Sequence, residues 1–86
     1  MATLHIVNKF AALESCLEVA AESDTVLLIE DGVYAAVGAD DERFIVLSED
    51  VAARGLEDIL SPEFSRTDYA GFVKLAVDHQ PIVSWR

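Results

Sequence analysis

Cys16 is the one side chain in this sequence with distinctive nucleophilic reactivity. It lies in the segment LESCLEVA, Leu13–Ala20. On a helix its neighbours at three and four residues are Ala12, Leu13, Val19 and Ala20, all apolar, which sets the thiol at the edge of a buried stripe. Lys9 is two turns away, and Glu14 and Glu18 flank the cysteine in sequence. Burial with no cation beside it raises a thiol's pKa and leaves it inert. Two readings of Cys16 follow: a packing residue, or a nucleophile whose activating cation comes from another chain.

The remaining candidates carry less. His5 and His79 stand at opposite ends of the chain, with no H-E-x-x-H and no paired-cysteine spacing, so no metal site is expected and both histidines read as structural or solvated. Gly32, Gly38, Gly55 and Gly71 are scattered singly, which excludes a P-loop and the dinucleotide fingerprint and leaves no cofactor to expect. No G-x-S-x-G elbow supports a serine nucleophile. Asp31, at the end of an apolar strand and before Gly32, could be drawn as a phosphoacceptor. The chain is short for that architecture, and a turn or capping role is simpler.

Such residues must be held by a small scaffold. At 86 residues there is room for one domain, spanning 1–86. Sixteen acids against six bases give a net charge of −10, which disfavours direct contact with nucleic acid or an anionic membrane surface. No apolar run approaches the length needed to cross a bilayer, the opening residues do not read as a secretory signal, and a single cysteine suits a reducing cytoplasm. The mean hydropathy of +0.30 is high for a small acidic domain and points to apolar surface shared with another subunit, with a well-filled core as the alternative.

The pattern of apolar residues yields the order β-α-β-(α)-β-α-α-β. Thr3–Asn8 reads as a strand, and Phe10–Glu22 as an amphipathic helix capped by Asn8. Thr25–Asp31 is apolar without alternation, as in a central parallel strand covered on both faces. Arg43–Leu47 is a further strand. Ser48 caps a short helix that stops at Gly55, and S-x-x-D at Ser65–Asp68 opens a last helix over about Arg66–Asp78. Ile82–Trp85 is extended. The expected architecture is a three-layer α/β/α domain with a mainly parallel sheet. Tyr34, Phe72 and Trp85 are the large rings available for a subunit interface, with Trp85 equally suited to capping its own core.

Four stretches in this order, LLIEDGVYAAV (Leu27–Val37), VLSEDVAARGL (Val46–Leu56), DYAGFVKLAVDH (Asp68–His79) and the terminal Trp85, resemble the DsrH/TusB family of sulfur-relay subunits. The opening TLHIVN and the LESCLEVA helix fit as well, while the stretch between Gly38 and Arg43 looks shortened. The resemblance implies a DsrEFH-like α/β fold and a cytoplasmic heterohexamer with DsrE/TusD-like and DsrF/TusC-like subunits. Such a complex passes persulfide sulfur between sulfur-carrier proteins. The destination is 2-thiolation of the tRNA wobble uridine or, in the DsrH-like branch, dissimilatory sulfur oxidation. The principal sulfur-carrying cysteine of these complexes belongs to the DsrE/TusD-type subunit, so this chain is not expected to catalyse transfer on its own. Some DsrH-like members do carry a cysteine on the first helix, and Cys16 matches it, which makes Cys16 the candidate persulfide carrier. The alternatives are a non-catalytic structural subunit of the same complex and an unrelated α/β interaction module.

Overall fold

The structure, a computed structural model, describes residues 2–86. Five strands form one sheet: β1 (Leu4–Val7), β2 (Thr25–Leu28), β3 (Phe44–Leu47), β4 (Arg66–Thr67) and β5 (Ile82–Trp85). Their spatial order is β4-β3-β2-β1-β5, and every pairing is parallel. Three helices, α1 (Leu13–Val19), α2 (Ser48–Ala53) and α3 (Tyr69–Asp78), join them, with 3-10 turns over Phe10–Ala12 and Glu30–Ala36.

Register sorts the side chains. In parallel pairs, aligned residues share a face. His5, Val7, Val26, Leu28, Phe44, Val46, Val83 and Trp85 therefore lie on one side, and Leu4, Ile6, Leu27, Ile45 and Leu47 on the other. The first face holds the main core, where Val7, Val26, Leu28, Phe44 and Val46 meet Ala12 and Cys16 from the α1 side, Val33 from the long 3-10 turn and Val51 from α2. Successive steps from β1 to β4 run one way across the sheet, whereas β4 to β5 runs back over all of it. Right-handed crossovers then put α1 and α2 on the first face and α3 alone on the second.

The expected centre of the sheet is where the structure has it. β2 is the middle strand, and Val26, Leu27 and Leu28 are fully buried. Ile29, just past the strand end, is half-buried. Several boundaries move. Arg66–Thr67, expected to start the last helix, is a short edge strand, and α3 begins at Tyr69, where the Asp68 side chain accepts from Gly71 N at 2.8 Å. Asp68 is thus the cap itself. Of the apolar residues on α3, Phe72, Leu75 and Ala76 turn inward, while Tyr69, Val73 and Val77 are exposed.

The first helix is shorter than its pattern. Lys9 precedes it in place of Asn8, and neither side chain caps the turn. It ends at Ala20 because two groups take up the backbone there: Asp24 Oδ2 accepts from Ala21 N at 2.9 Å, and Arg43 Nη1 donates to Ala20 O at 3.3 Å. Ser48 is the first residue of α2, not its cap. Gly55 does end that helix in the left-handed region, at φ 67°.

No helix among the described residues is long and apolar enough to cross a membrane.

Candidate functional site

Helix α1 turns Cys16 inward, to the middle of the buried stripe and not its edge. The residue is 0% exposed and packs in the main core. Burial pushes the thiol from 9.0 up to about 11, with the Arg43 cation pulling down and the Asp24 carboxylate pushing further up. Burial wins. At neutral pH the sulfur is a protonated thiol, poorly suited to nucleophilic attack.

The cation is a finding that sequence spacing missed. Arg43 enters β3 from the preceding turn, 27 positions after Cys16, and only the parallel pairing of β2 with β3 brings it close to the end of α1. Its Nε and Nη2 form a fork on the Asp41 carboxylate, at 3.0 and 2.7 Å, while Nη1 holds the last turn of α1 through Ala20 O. A positive charge at a helix C-terminus also complements the dipole. The activating charge that the sequence assigned to another chain is therefore present within this one. It is held by Asp41 and is too weak to offset burial. The D-x-R spacing of Asp41 and Arg43 was the available signal for the fork, but not for its neighbour.

Beside this pair runs a buried polar chain. Trp85 Nε1 donates to His5 Nδ1 at 3.1 Å, with the two rings tilted 32° at 6.2 Å between centroids. An indole N–H can only donate, so His5 Nδ1 must be the acceptor and Nε2 carries the hydrogen. That Nε2–H donates to Asp24 Oδ2 at 2.9 Å. Asp24 also accepts from Thr3 N at 3.0 Å and Ala21 N at 2.9 Å. These backbone N–H groups, Thr3 first and His5 after them, hold its carboxyl down at about 2. The chain ties β1, the end of α1, the start of β2 and β5 together. Trp85 accordingly caps its own core, the second of its two expected roles.

The stabilisation from Asp24 is complete above the ordinary carboxylate value of 3.8 and is lost as pH falls toward about 2. Asp24→Asn would turn its amide N–H₂ against a donor whichever way it lies, Thr3 N on one side or Ala21 N and His5 on the other, and Trp85 prevents His5 from switching tautomer. Urea unfolding near neutral pH should show a loss of about 2 kcal/mol, with a flatter acid limb than the parent. An unchanged acid limb would exclude Asp24 as the linked group.

The other sequence candidates stay apart. Asp31 lies in the long 3-10 turn, mostly exposed, and takes Arg54 Nε at 2.9 Å, which makes it a surface ion-pair residue. His79 closes α3 by donating Nδ1–H to Leu75 O at 2.9 Å, with Nε2 3.1 Å from Thr25 Oγ1. Among the described residues no group of three metal-ligating side chains is gathered. Tyr34 is exposed, and Phe72 is half-buried.

Comparison with known proteins finds similarity over most of the chain. A family model described as DsrH like protein matches residues 8–82. Protein TusB of Enterobacter sp. (strain 638) is 37% identical over 86 aligned residues, covering 87% of this chain and 88% of the relative. Protein TusB of Shigella sonnei (strain Ss046) is 35% identical over 94, covering 96% and 97%. Protein TusB of Escherichia coli O81 (strain ED1a) is 38% identical over 90, covering 92% and 90%. The family match runs from the β1–α1 junction to the first residue of β5, so it includes the cysteine helix, the central strand and α3, and the chain belongs to the DsrH/TusB family.

Proposed function

We propose that this chain is a structural subunit of a cytoplasmic sulfur-relay complex that serves 2-thiolation of the tRNA wobble uridine, assembled with DsrE/TusD-like and DsrF/TusC-like subunits. Relatives carrying the TusB name favour this destination over sulfur oxidation. The observation that carries the structural role is the complete burial of Cys16, whose thiol sits near 11. A relay step needs a thiolate to attack the outer sulfur of a partner's persulfide, forming a new S–S bond and releasing the partner's thiolate. Cys16 offers neither the anion nor the access. The subunit role draws further support from apolar residues left on the surface: Tyr69, Val73 and Val77 down the outer side of α3, with Ile82 and Tyr34. The −10 charge leaves tRNA contact to other proteins.

A second reading makes Cys16 a carrier once assembly opens the end of α1. Arg43 favours it, because a cation already lies close enough to pull the thiol down when burial is relieved.

Loading the assembled complex with labelled sulfur separates the two. In the structural role, mass spectrometry finds no added sulfur on this subunit, and a Cys16→Ser complex passes sulfur at the parent rate. A persulfide on Cys16, together with at least about a tenfold loss of throughput in the variant, would make it a carrier.

A further inference from the structure

Outside this junction, the outer side of α1 forms a groove of about 520 Å³ lined by Phe10, Ala11, Leu13, Glu14, Leu17 and Glu18. Its floor is apolar, with Leu13 and Leu17 half-buried against the core and Phe10 standing 64% exposed at one end. Its rim is acidic. Glu14 and Glu18 are exposed and one helical turn apart, a like-charge spacing that weakens an isolated helix.

Among the described residues the ion pairs are Arg43–Asp41 and Arg54 with Asp31 and Asp50, and His5 is hydrogen-bonded to Asp24; none reaches Glu14 or Glu18. Lys9, immediately before the groove, forms no ion pair with either carboxylate. Arg66 spends its guanidinium on the carbonyls of Pro62 and Phe64. The fold thus keeps a hydrophobic slot next to two carboxylates whose repulsion no ion pair among the described residues offsets.

That combination selects the occupant. A second copy meeting this face about a two-fold axis would set Glu14 and Glu18 against Glu14 and Glu18, and like charges brought together across an interface oppose binding. We infer that the α1 groove is the seat of a basic amphipathic segment of a different protein, with apolar side chains packed beside Phe10 and over Leu13 and Leu17, and lysine or arginine paired with Glu14 and Glu18. This rests on the subunit reading for the premise that the chain works against other proteins, and it holds whether or not Cys16 carries sulfur.

Two short synthetic peptides serve as probes, each with leucines at helical spacing along one side and either lysine or glutamate elsewhere. Titrated into isotope-labelled full chain, the lysine peptide should shift amide resonances of residues 10–18. It should bind at least about tenfold more tightly than the glutamate peptide and weaken as salt is raised. Phe10→Ser, at an exposed position that leaves the core intact, and the double variant Glu14→Gln/Glu18→Gln should each cost about tenfold in affinity. Thermal unfolding verifies that both variants remain folded. Absence of binding, shifts spread over the other acidic segments around Asp40–Glu42 and Glu57–Asp58, equal binding of both peptides, or a Phe10→Ser chain that binds like the parent would each overturn the assignment. The sulfur-loading assay reads Cys16 and does not involve this groove, so either conclusion can fail without the other.

Discussion

Replacing Gly32 by alanine should remove about 4 kcal/mol of stability, near the top of what single substitutions do. Gly32 lies in the 3-10 turn after β2, where the backbone passes directly over the end of β1. A Cβ placed there would overlap the carbonyl oxygen of Val7 and come within 3.0 Å of its carbonyl carbon. That oxygen already accepts from Ile29 N at 3.0 Å, and Val7 is fully buried in the strand beside the sheet centre. No side chain can rotate out of the way; the turn and the strand must separate, which costs packing on the main core face. Total stability for a domain of this length is of the order of 4–13 kcal/mol, so the loss is a large share of it. The expected fall in melting temperature is about 15–30 °C. Gly71→Ala is the control. There the added carbon meets chiefly the Thr67 hydroxyl, a side-chain atom that can turn aside, and helix α3 gains a better helix former. A Gly32→Ala protein melting within about 5 °C of the parent would mean that the turn shifts freely, and that its approach to β1 does not hold the sheet end.

The same turn shows where local pattern stops informing. Thr25–Asp31 could be placed at the sheet centre because an unbroken apolar run is what a strand covered on both faces requires, and its first four residues, Thr25–Leu28, are that strand. Beyond it, Glu30, Asp31 and Gly32 interrupt the apolar run, and Val33–Ala36 is apolar again and suits a strand equally well. What turns them into a 3-10 stretch is tertiary. Glu30 is held at φ 48°, its N–H bonded to Asp50 Oδ2 at 2.6 Å from α2, and Gly32 permits contact with β1. β4 escapes for a different reason: two residues, Arg66 and Thr67, carry no periodicity, and their pairing with Val46 and Leu47 is the only cause of their being a strand. In the candidate site, the helix bearing Cys16 and its apolar neighbours were legible from spacing. Arg43 and Asp24 were not, because they reach the thiol's surroundings through strand register and the end of α1, distances that sequence separation hides.

The thiol offers the decisive measurement on the isolated chain. Raising Cys16 from 9.0 to about 11 lowers its thiolate fraction about 100-fold at any pH below 9, and full burial blocks the reagent as well. Alkylation in the native protein should therefore run at least about 100-fold slower than in the urea-unfolded chain. The native rate should climb until pH approaches 11, whereas the unfolded rate levels off above about 9. Stability follows the same linkage. The native state holds its proton more tightly, so stability is unaffected below the unfolded value and falls as pH rises through the interval from 9 to about 11, by roughly 2–3 kcal/mol. Cys16→Ala should lack that loss, which assigns it to this thiol. A native rate within about tenfold of the unfolded one, or a bend near neutral pH, would mean that Arg43 outweighs burial and that the thiol is poised without a partner. Repeating the measurement in the assembled complex then bears on the relay itself. A carrier must bring its bend down toward ambient pH when its partners bind, since attack on a persulfide is fastest for thiols titrating there. A packing cysteine keeps its bend near 11, because the residues that bury it belong to its own core.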